Sequence, residues 1–302
     1  MKKKKVLQVG FGMITIIGLL LVINFIPTWN LQTKGMSRIE GKWITVYYET
    51  EEAAAKDVLS YADPLVEEIA IALGFSEKQD VNVYIYDTQQ TMQTKKYGFI
   101  APLLQLDWYI GDNRGTEVIL TSPANPGSVH SYDNNKEAVL HEIVHAYVSV
   151  INPDISLWLT EGMALYLSNG KPFQAEYLEY MEIPSYEDTC TINPIRFSNC
   201  GGYTFAHTYI AYLHNTYGWD SVLELLETED YEKIFHKSQE EIYGEWLQYL
   251  SSYFIFTDNP QNITAPAGQQ SPETGFMQVQ TSQSLLPGRP HHWSRSQNLQ
   301  RL

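Results

Sequence analysis

The chain has 302 residues, of which 44% are hydrophobic and 13% aromatic, enough apolar material for one substantial core and too much for a chain disordered throughout. Its charge is unevenly placed: residues 1–42 hold seven Lys and Arg against one Glu, whereas residues 43–253 hold ten basic against 32 acidic side chains. A body this acidic repels nucleic acid and anionic lipid, and no basic stripe with interleaved aromatics crosses it, so no nucleic-acid partner is expected.

At the N-terminus, Lys2–Lys5 precede 21 uncharged residues, Val6–Ile26. That length suits a bilayer-spanning helix better than the shorter apolar stretch of a cleaved signal peptide. Pro27-Thr28-Trp29-Asn30 follows, with no A-x-A-type cleavage site and no cysteine to accept a lipid. With the lysines held inside, residues 1–27 read as a signal anchor: a single-pass transmembrane helix in the cell membrane, N-terminus cytoplasmic and the rest of the chain extracytoplasmic. Secretion after signal cleavage is the alternative.

Trp43–Thr50 (WITVYYET) is β-branched and aromatic without a breaker and reads as a strand. Glu51–Leu73 reads as a helix with Ala53, Val58, Leu65, Ile69 and Leu73 on a drifting apolar face, closed by Gly74; Pro64 inside it is placed to kink or split it. Val81–Tyr86 (VNVYIY) and Glu117–Thr121 (EVILT) are a second and a third strand, and the aromatic stretch around Trp108 between them carries no clear period. The expectation is a small sheet with one covering helix.

From Tyr132 to Phe254 the pattern is mainly helical. Asp133 or Asn134 suits the cap of a helix over Glu137–Val150, which Asn152-Pro153 ends. Further helices are expected over Leu157–Leu167, stopped by Asn169-Gly170, over Tyr203–Tyr217, stopped by Gly218, and over Glu240–Tyr253. Cys190 and Cys200 lack metal-type spacing and are placed to close a small disulfide loop in an oxidising compartment, with two free thiols as the alternative. Residues 258–302, rich in Gln, Ser, Pro and Gly, read as a disordered tail.

The segment His141-Glu142-Ile143-Val144-His145 lies within the first of these helices and forms H-E-x-x-H. Histidines four residues apart stand on one helix face, where both imidazoles can reach one zinc ion. Glu142, about 100° round the helix from His141, projects beside that ion, where its carboxylate can take the proton of an attacking water. Ile143, Val144 and Val148 supply the buried side. A catalytic zinc needs a third protein ligand and an open fourth position. The extension H-E-x-x-H-x-x-G-x-x-H is absent, since Val148 and Ile151 stand where Gly and His are required. Downstream, Glu161 in Trp158-Leu159-Thr160-Glu161-Gly162-Met163-Ala164 places a carboxylate on the next helix, and Ala164 is small enough to let that helix approach the motif helix. Glu161 is therefore the expected third ligand. Asp154, in the tight Asn-Pro-Asp connection, is the rival and suits a turn better.

HEIVH at 141–145 together with WLTEGMA at 158–164 resembles the gluzincin metallopeptidases, and the order of elements is similar to small bacterial peptidase MA-like domains. The resemblance covers residues 43–254 and implies a zincin-like α+β fold, in which a small mixed sheet with a covering helix precedes a mainly helical subdomain carrying the H-E-x-x-H helix. It implies a Zn2+ cofactor and hydrolysis of peptide bonds in a peptide or protein substrate. The His145 to Glu161 spacing is shorter than in thermolysin-like or aminopeptidase members, and the G-x-M-E-N signature of aminopeptidases is missing. Such families stabilise the oxyanion with a later Tyr or His; here Tyr203 and His207 lie four apart at the start of a helix. The resemblance favours Tyr203, and the chemistry allows either. Glu117–Thr121 stands either as an edge strand on which substrate is laid or as a plain core strand. The expected function is a membrane-anchored zinc metallopeptidase with Glu142 as base. The alternative is a non-catalytic zincin-fold binding or sensing module, against which a base beside three ligands argues, since structural zinc needs none.

Overall fold

The three inner strands form where β-branched and aromatic residues cluster along the body. In the computed structural model, which describes residues 2–169, 173–174 and 177–257, a sheet of five strands runs β1 (Ser37–Glu40), β2 (Ile44–Tyr48), β3 (Val81–Tyr86), β4 (Gly111–Arg114) and β5 (Glu117–Thr121) in chain order. In space the order is β1-β2-β3-β5-β4, with β2, β3 and β5 parallel and the two outer strands antiparallel to their neighbours. Period-two alternation divides the side chains between two faces. Ile44, Val46, Val83, Ile85, Val118 and Leu120 point into the main core, and Tyr84, Tyr86 and Ile119 into a smaller cluster behind the sheet.

Helices fill both faces. α1 (Lys2–Phe25) leads into a one-turn 3-10 segment at Ile26–Trp29; α2 (Glu52–Ala72) covers the main face, and α3 (Gln89–Tyr97), followed by a 3-10 segment at Gly98–Leu103, lies against the other, with Met92 in the smaller cluster. Next come α4 (Tyr132–Ile151), α5 (Leu157–Asn169), the short α6 (Tyr177–Tyr180), α7 (Tyr186–Thr189) and α8 (Pro194–Asn199), then α9 (Gly202–Tyr217), α10 (Trp219–Thr228), α11 (Tyr231–Phe235) and α12 (Gln239–Thr257). α4 packs on α2 and β5, α5 on α4, and α9 on α5. The architecture is a mixed α+β sheet domain with a helical subdomain. Residues Gly10–Trp29, with a mean hydropathy of 2.1, are by length and composition able to cross a membrane, as a span or as a signal sequence.

Several sequence expectations change. The sheet has five strands because Ser-Arg-Ile-Glu and Gly-Asp-Asn-Arg, which carry little apolar signal, pair antiparallel onto established strands. β5 is internal: β4 covers its outer side, so the edge strand is β4 and not Glu117–Thr121. Pro64 does not split α2, because Pro64 and Ser60, whose carbonyl loses its partner, both lie on the solvent face. The buried face of α2 is Ala54, Ala55, Val58, Ala62, Val66, Ile69 and Ala70, so Ala53 points outward. α4 starts five residues before Glu137, capped by Ser131, whose hydroxyl accepts from the Asn134 N–H while the Asn134 side chain accepts from the Ser131 N–H. α3, α6, α7, α8, α10 and α11 were not expected from the sequence; in α3 only Met92 and Gln93 are buried, too few to give a period. Cys190 and Cys200 are unbonded, each closing a different short helix, with the Cys200 thiol donating to the Phe197 carbonyl. The tail expected at 258–302 lies outside the described residues.

Candidate metal centre

The rotation of α4 is set by what it buries. Ile143, Val144, Tyr147 and Val148 are fully enclosed, each aliphatic side chain contributing roughly 1.5–3 kcal/mol, and this turns His141, Glu142 and His145 away from the core. α5 crosses α4 with Trp158, Leu159, Met163 and Ala164 buried, and the opposite side of its first turns presents Glu161. Gly162 admits α9 closely: a methyl group there would lie 2.9 Å from the Ala206 carbonyl oxygen and 3.0 Å from Ile210 Cγ1. Ala164 is small and buried as expected, and a second close approach to α5, that of α9, occurs at Gly162.

At this crossing the Nε2 atoms of His141 and His145 lie 3.0 Å apart, and Glu161 Oε2 is 3.3 Å from the first and 3.6 Å from the second. All three side chains are mostly covered, and the polar neighbours of the buried Glu161 Oε2 are the two histidine nitrogens. Three donor atoms aimed at one point are costly unless something positive lies between them. Bonds of about 2.0–2.2 Å to a tetrahedral zinc set its donors roughly 3.3–3.6 Å apart; both Glu161 separations match this and the 3.0 Å between the imidazole nitrogens is slightly shorter, so the donor set fits that ion in chemistry and nearly in spacing. Among the described residues this is the group of His, Cys, Asp and Glu suited to hold a metal. His145 Nδ1 lies 3.0 Å from Thr160 Oγ1, and donation to that hydroxyl leaves Nε2 with its lone pair free for a metal.

Burial alone would raise the Glu161 carboxyl, but the two imidazoles beside it outweigh burial and hold it at about 2. Glu142 goes the other way: burial, with the charges of Asp112 and Glu161, pushes it up to about 8 against the pull of His141 and Lys96. Its neighbour is the edge strand. A methyl group on Gly111 would lie 3.0 Å from Glu142 Cγ and 3.2 Å from Oε1, so the absence of a side chain at that position is what admits the glutamate. The next residue, Asp112, forms a 2.6 Å ion pair with Lys96 of α3; burial raises its carboxyl, and Lys96 opposes that.

Tyr203 opens α9 with its ring edge-on to Phe197, and burial together with the charges of Glu161, Glu142 and Asp112 raises its phenol well above the usual range. The phenol is within electrostatic reach of those three carboxylates. His207, one turn on, lies tilted against Phe173, has a buried Nε2 without a hydrogen bond, and is lowered by burial. Asp154 lies exposed in the turn after α4, where its N–H donates to Asn152 Oδ1. The structure therefore brings His141, His145 and Glu161 together, with Glu142 beside them and Tyr203 within electrostatic reach of Glu161 and Glu142, and leaves Asp154 in an exposed turn. The sequence reading missed Gly111, Asp112, Lys96 and Thr160. A hydroxyl directly before a ligand was a legible signal for Thr160; the other three come together only through the pairing of β4.

No family model and no curated protein sequence matches the chain. Among solved structures it is similar to native yeast LTA4 hydrolase, at 15% identity over 72% of this chain and 38% of that one, with a TM-score of 0.42. It is similar to native leukotriene A4 hydrolase from Saccharomyces cerevisiae at 14% identity over 72% and 38%, with a TM-score of 0.43, and to yeast LTA4 hydrolase in complex with bestatin at 14% identity over 85% and 40%, with a TM-score of 0.40. The chain spans about two fifths of the length of these proteins.

Proposed function

We propose that the chain is a membrane-anchored, extracytoplasmic zinc metallopeptidase of gluzincin type that hydrolyses peptide bonds with an activated water. The observation that carries this reading is the convergence of His141 Nε2, His145 Nε2 and Glu161 Oε2 within 3.0–3.6 Å, with Glu142 beside them. When bound, zinc supplies Lewis acidity, drawing the pKa of a water towards neutrality and polarising the scissile carbonyl. Two neutral imidazoles and one carboxylate hold the ion and keep a fourth position open. Glu142 accepts at its carboxylate the proton lost by the water on attack and delivers it to the departing amine nitrogen. The Tyr203 phenol, raised by its surroundings, stays protonated at neutral pH and donates to the developing oxyanion. The outer edge of β4 pairs with no other described strand, and Gly111 of that strand lies against Glu142, which suits β4 to align an extended peptide by backbone hydrogen bonds.

The test is metal analysis of the purified full chain and its Glu142→Gln variant, each paired with digestion of a peptide library. About one zinc per chain in both proteins, with cleavage confined to the parent, is the expected result. Zinc in both without glutamate-dependent cleavage would establish the binding or sensing module instead.

A further inference from the structure

The segment between α3 and the edge strand, Phe99–Trp108, displays apolar side chains to solvent with nothing in the described structure covering them. Leu103 is 79% exposed, Phe99 59% and Trp108 56%, and Ile100 and Leu104 are exposed as well. Such a patch is unusual on a soluble face. It is not a loose loop: the Gln89 side-chain amide donates to the carbonyls of Leu106, Asp107 and Tyr109, and that of Gln93 to Leu106 and Tyr109. His130 Nε2 lies 2.9 Å from the Trp108 carbonyl, and Gln105 is held at a positive φ of 51°. The backbone is pinned from within, and the apolar side chains are presented outward.

The same segment is clamped to the end of α1. Asn24 donates through Nδ2 to the Tyr97 carbonyl at 3.1 Å and accepts at Oδ1 from the Ile100 N–H at 2.8 Å. Gly98, at a φ of +79°, makes room for this, since a methyl there would meet the Asn24 backbone oxygen and Nδ2. Three further bonds hold the chain as it leaves the helix: Arg114 to the Thr28 carbonyl, Lys95 to the Asn30 carbonyl and the Tyr86 hydroxyl to the Leu31 carbonyl. The exposed patch is thus continuous with the end of an apolar helix whose own Phe25, Ile26 and Trp29 are exposed, and no flexible linker separates the two. A surface fixed against the exit point of a membrane helix has one apolar medium beside it.

We propose that Phe99–Trp108 together with Phe25–Trp29 forms a membrane-contacting collar that sits in the interfacial layer of the bilayer and fixes the domain's orientation on it. Trp29 and Trp108 take the position that tryptophan favours at such interfaces, and the apolar residues between them enter the headgroup boundary. Gly111 begins β4 three residues after Trp108, a reach of about 10 Å, so the edge strand beside Glu142 faces the membrane-proximal zone. The substrate class is then a membrane-proximal polypeptide segment. This rests on the reading of α1 as an anchor and of the site as a peptidase.

The test uses the full chain carrying Cys190→Ser and Cys200→Ser, with one introduced cysteine at a time: Leu103→Cys, Phe99→Cys, or Glu232→Cys on α11, which belongs to the helical subdomain beyond the opposite face of the sheet. Each is labelled with a polarity-sensitive dye and reconstituted into phosphatidylcholine vesicles, then challenged with spin-labelled lipid and with aqueous iodide. All three positions are at the surface, so the substitutions leave the core intact. The expected result is emission shifted to shorter wavelength at 99 and 103, with about half of it lost to the lipid quencher and little to iodide, and the reverse at 232. Labels at 99 and 103 as accessible to iodide as the one at 232, in a chain that resists alkaline carbonate extraction, overturn the collar and leave the anchor standing. Release of the chain by carbonate overturns both. Shielding from iodide and lipid quencher alike means that a protein surface covers the patch, and also overturns the proposal.

Discussion

Gly111 and Glu142 touch across the boundary between the edge strand and the motif helix: a methyl group on the glycine would stand 3.0 Å from the glutamate's Cγ. Replacing Gly111 with Val therefore displaces the carboxylate while leaving His141, His145 and Glu161 unaltered. Turnover in Gly111→Val should fall on the order of 100-fold, the cost of a misplacement near 1 Å, with zinc content unchanged. Loss of zinc in parallel with activity would show that the glycine supports the ligands instead.

The raised Glu142 carboxyl makes a linkage prediction. Its ordinary value is 4.5 and its folded, metal-free value about 8, so between those pH values the unfolded chain has lost a proton that the folded chain still holds. The metal-free protein should accordingly lose stability as pH rises from about 4.5 to 8, relative to Glu142→Gln. A nearby cation favours the ionised carboxylate, so zinc binding at neutral pH should expel more protons from the parent than from Glu142→Gln, by up to about one. Calorimetry in two buffers of different ionisation heat measures this, and equal release from both proteins would refute it.

Thr160 orients His145 through the 3.0 Å contact with Nδ1. Thr160→Val keeps the shape and removes the hydroxyl, and should weaken zinc binding by roughly 10–100-fold in competition with a chelator. An unchanged affinity would mean that packing alone holds the ring.

Tyr203→Phe removes the phenol and keeps the ring edge on Phe197. Turnover should drop by about 100-fold with unaltered zinc stoichiometry, the scale found for losing one oxyanion donor. His207→Gln should leave turnover near the parent value, since burial is what shifts that ring. The reverse pattern would exchange their roles.

Gly162 lets α9 lie against α5, and a side chain at 162 would collide with the Ala206 carbonyl and Ile210. Gly162→Val should destabilise the fold by about 1–3 kcal/mol through overpacking. In a domain of this size each of those kcal/mol lowers the melting temperature by about 2–4 °C. A melting temperature equal to the parent's would show that the two helices separate at no cost.

The sequence by itself determined the features that local spacing encodes. Two histidines four apart in a helix must share a face, the carboxylate between them must project beside them, and Val81–Tyr86 and Glu117–Thr121 carry enough β-branched and aromatic character to form strands at those residues. Glu161 was legible because it is a carboxylate on the next helix, with the small Ala164 close by to let that helix approach the motif helix. Tertiary structure alone decided what surrounds Glu142. Gly-Asp-Asn-Arg has no hydrophobic period, and it becomes the edge strand only because β5 offers it an antiparallel ladder. That pairing carries Gly111 and Asp112 to the motif helix, where they set the space and the charge around the base. The resemblance favoured Tyr203 over His207 where the chemistry left both open, and the fold adds that the charges of Glu161, Glu142 and Asp112 act on the Tyr203 phenol. Both residues lie on the same stripe of α9, and which of them feels the carboxylates of the site depends on how α9 packs against α5.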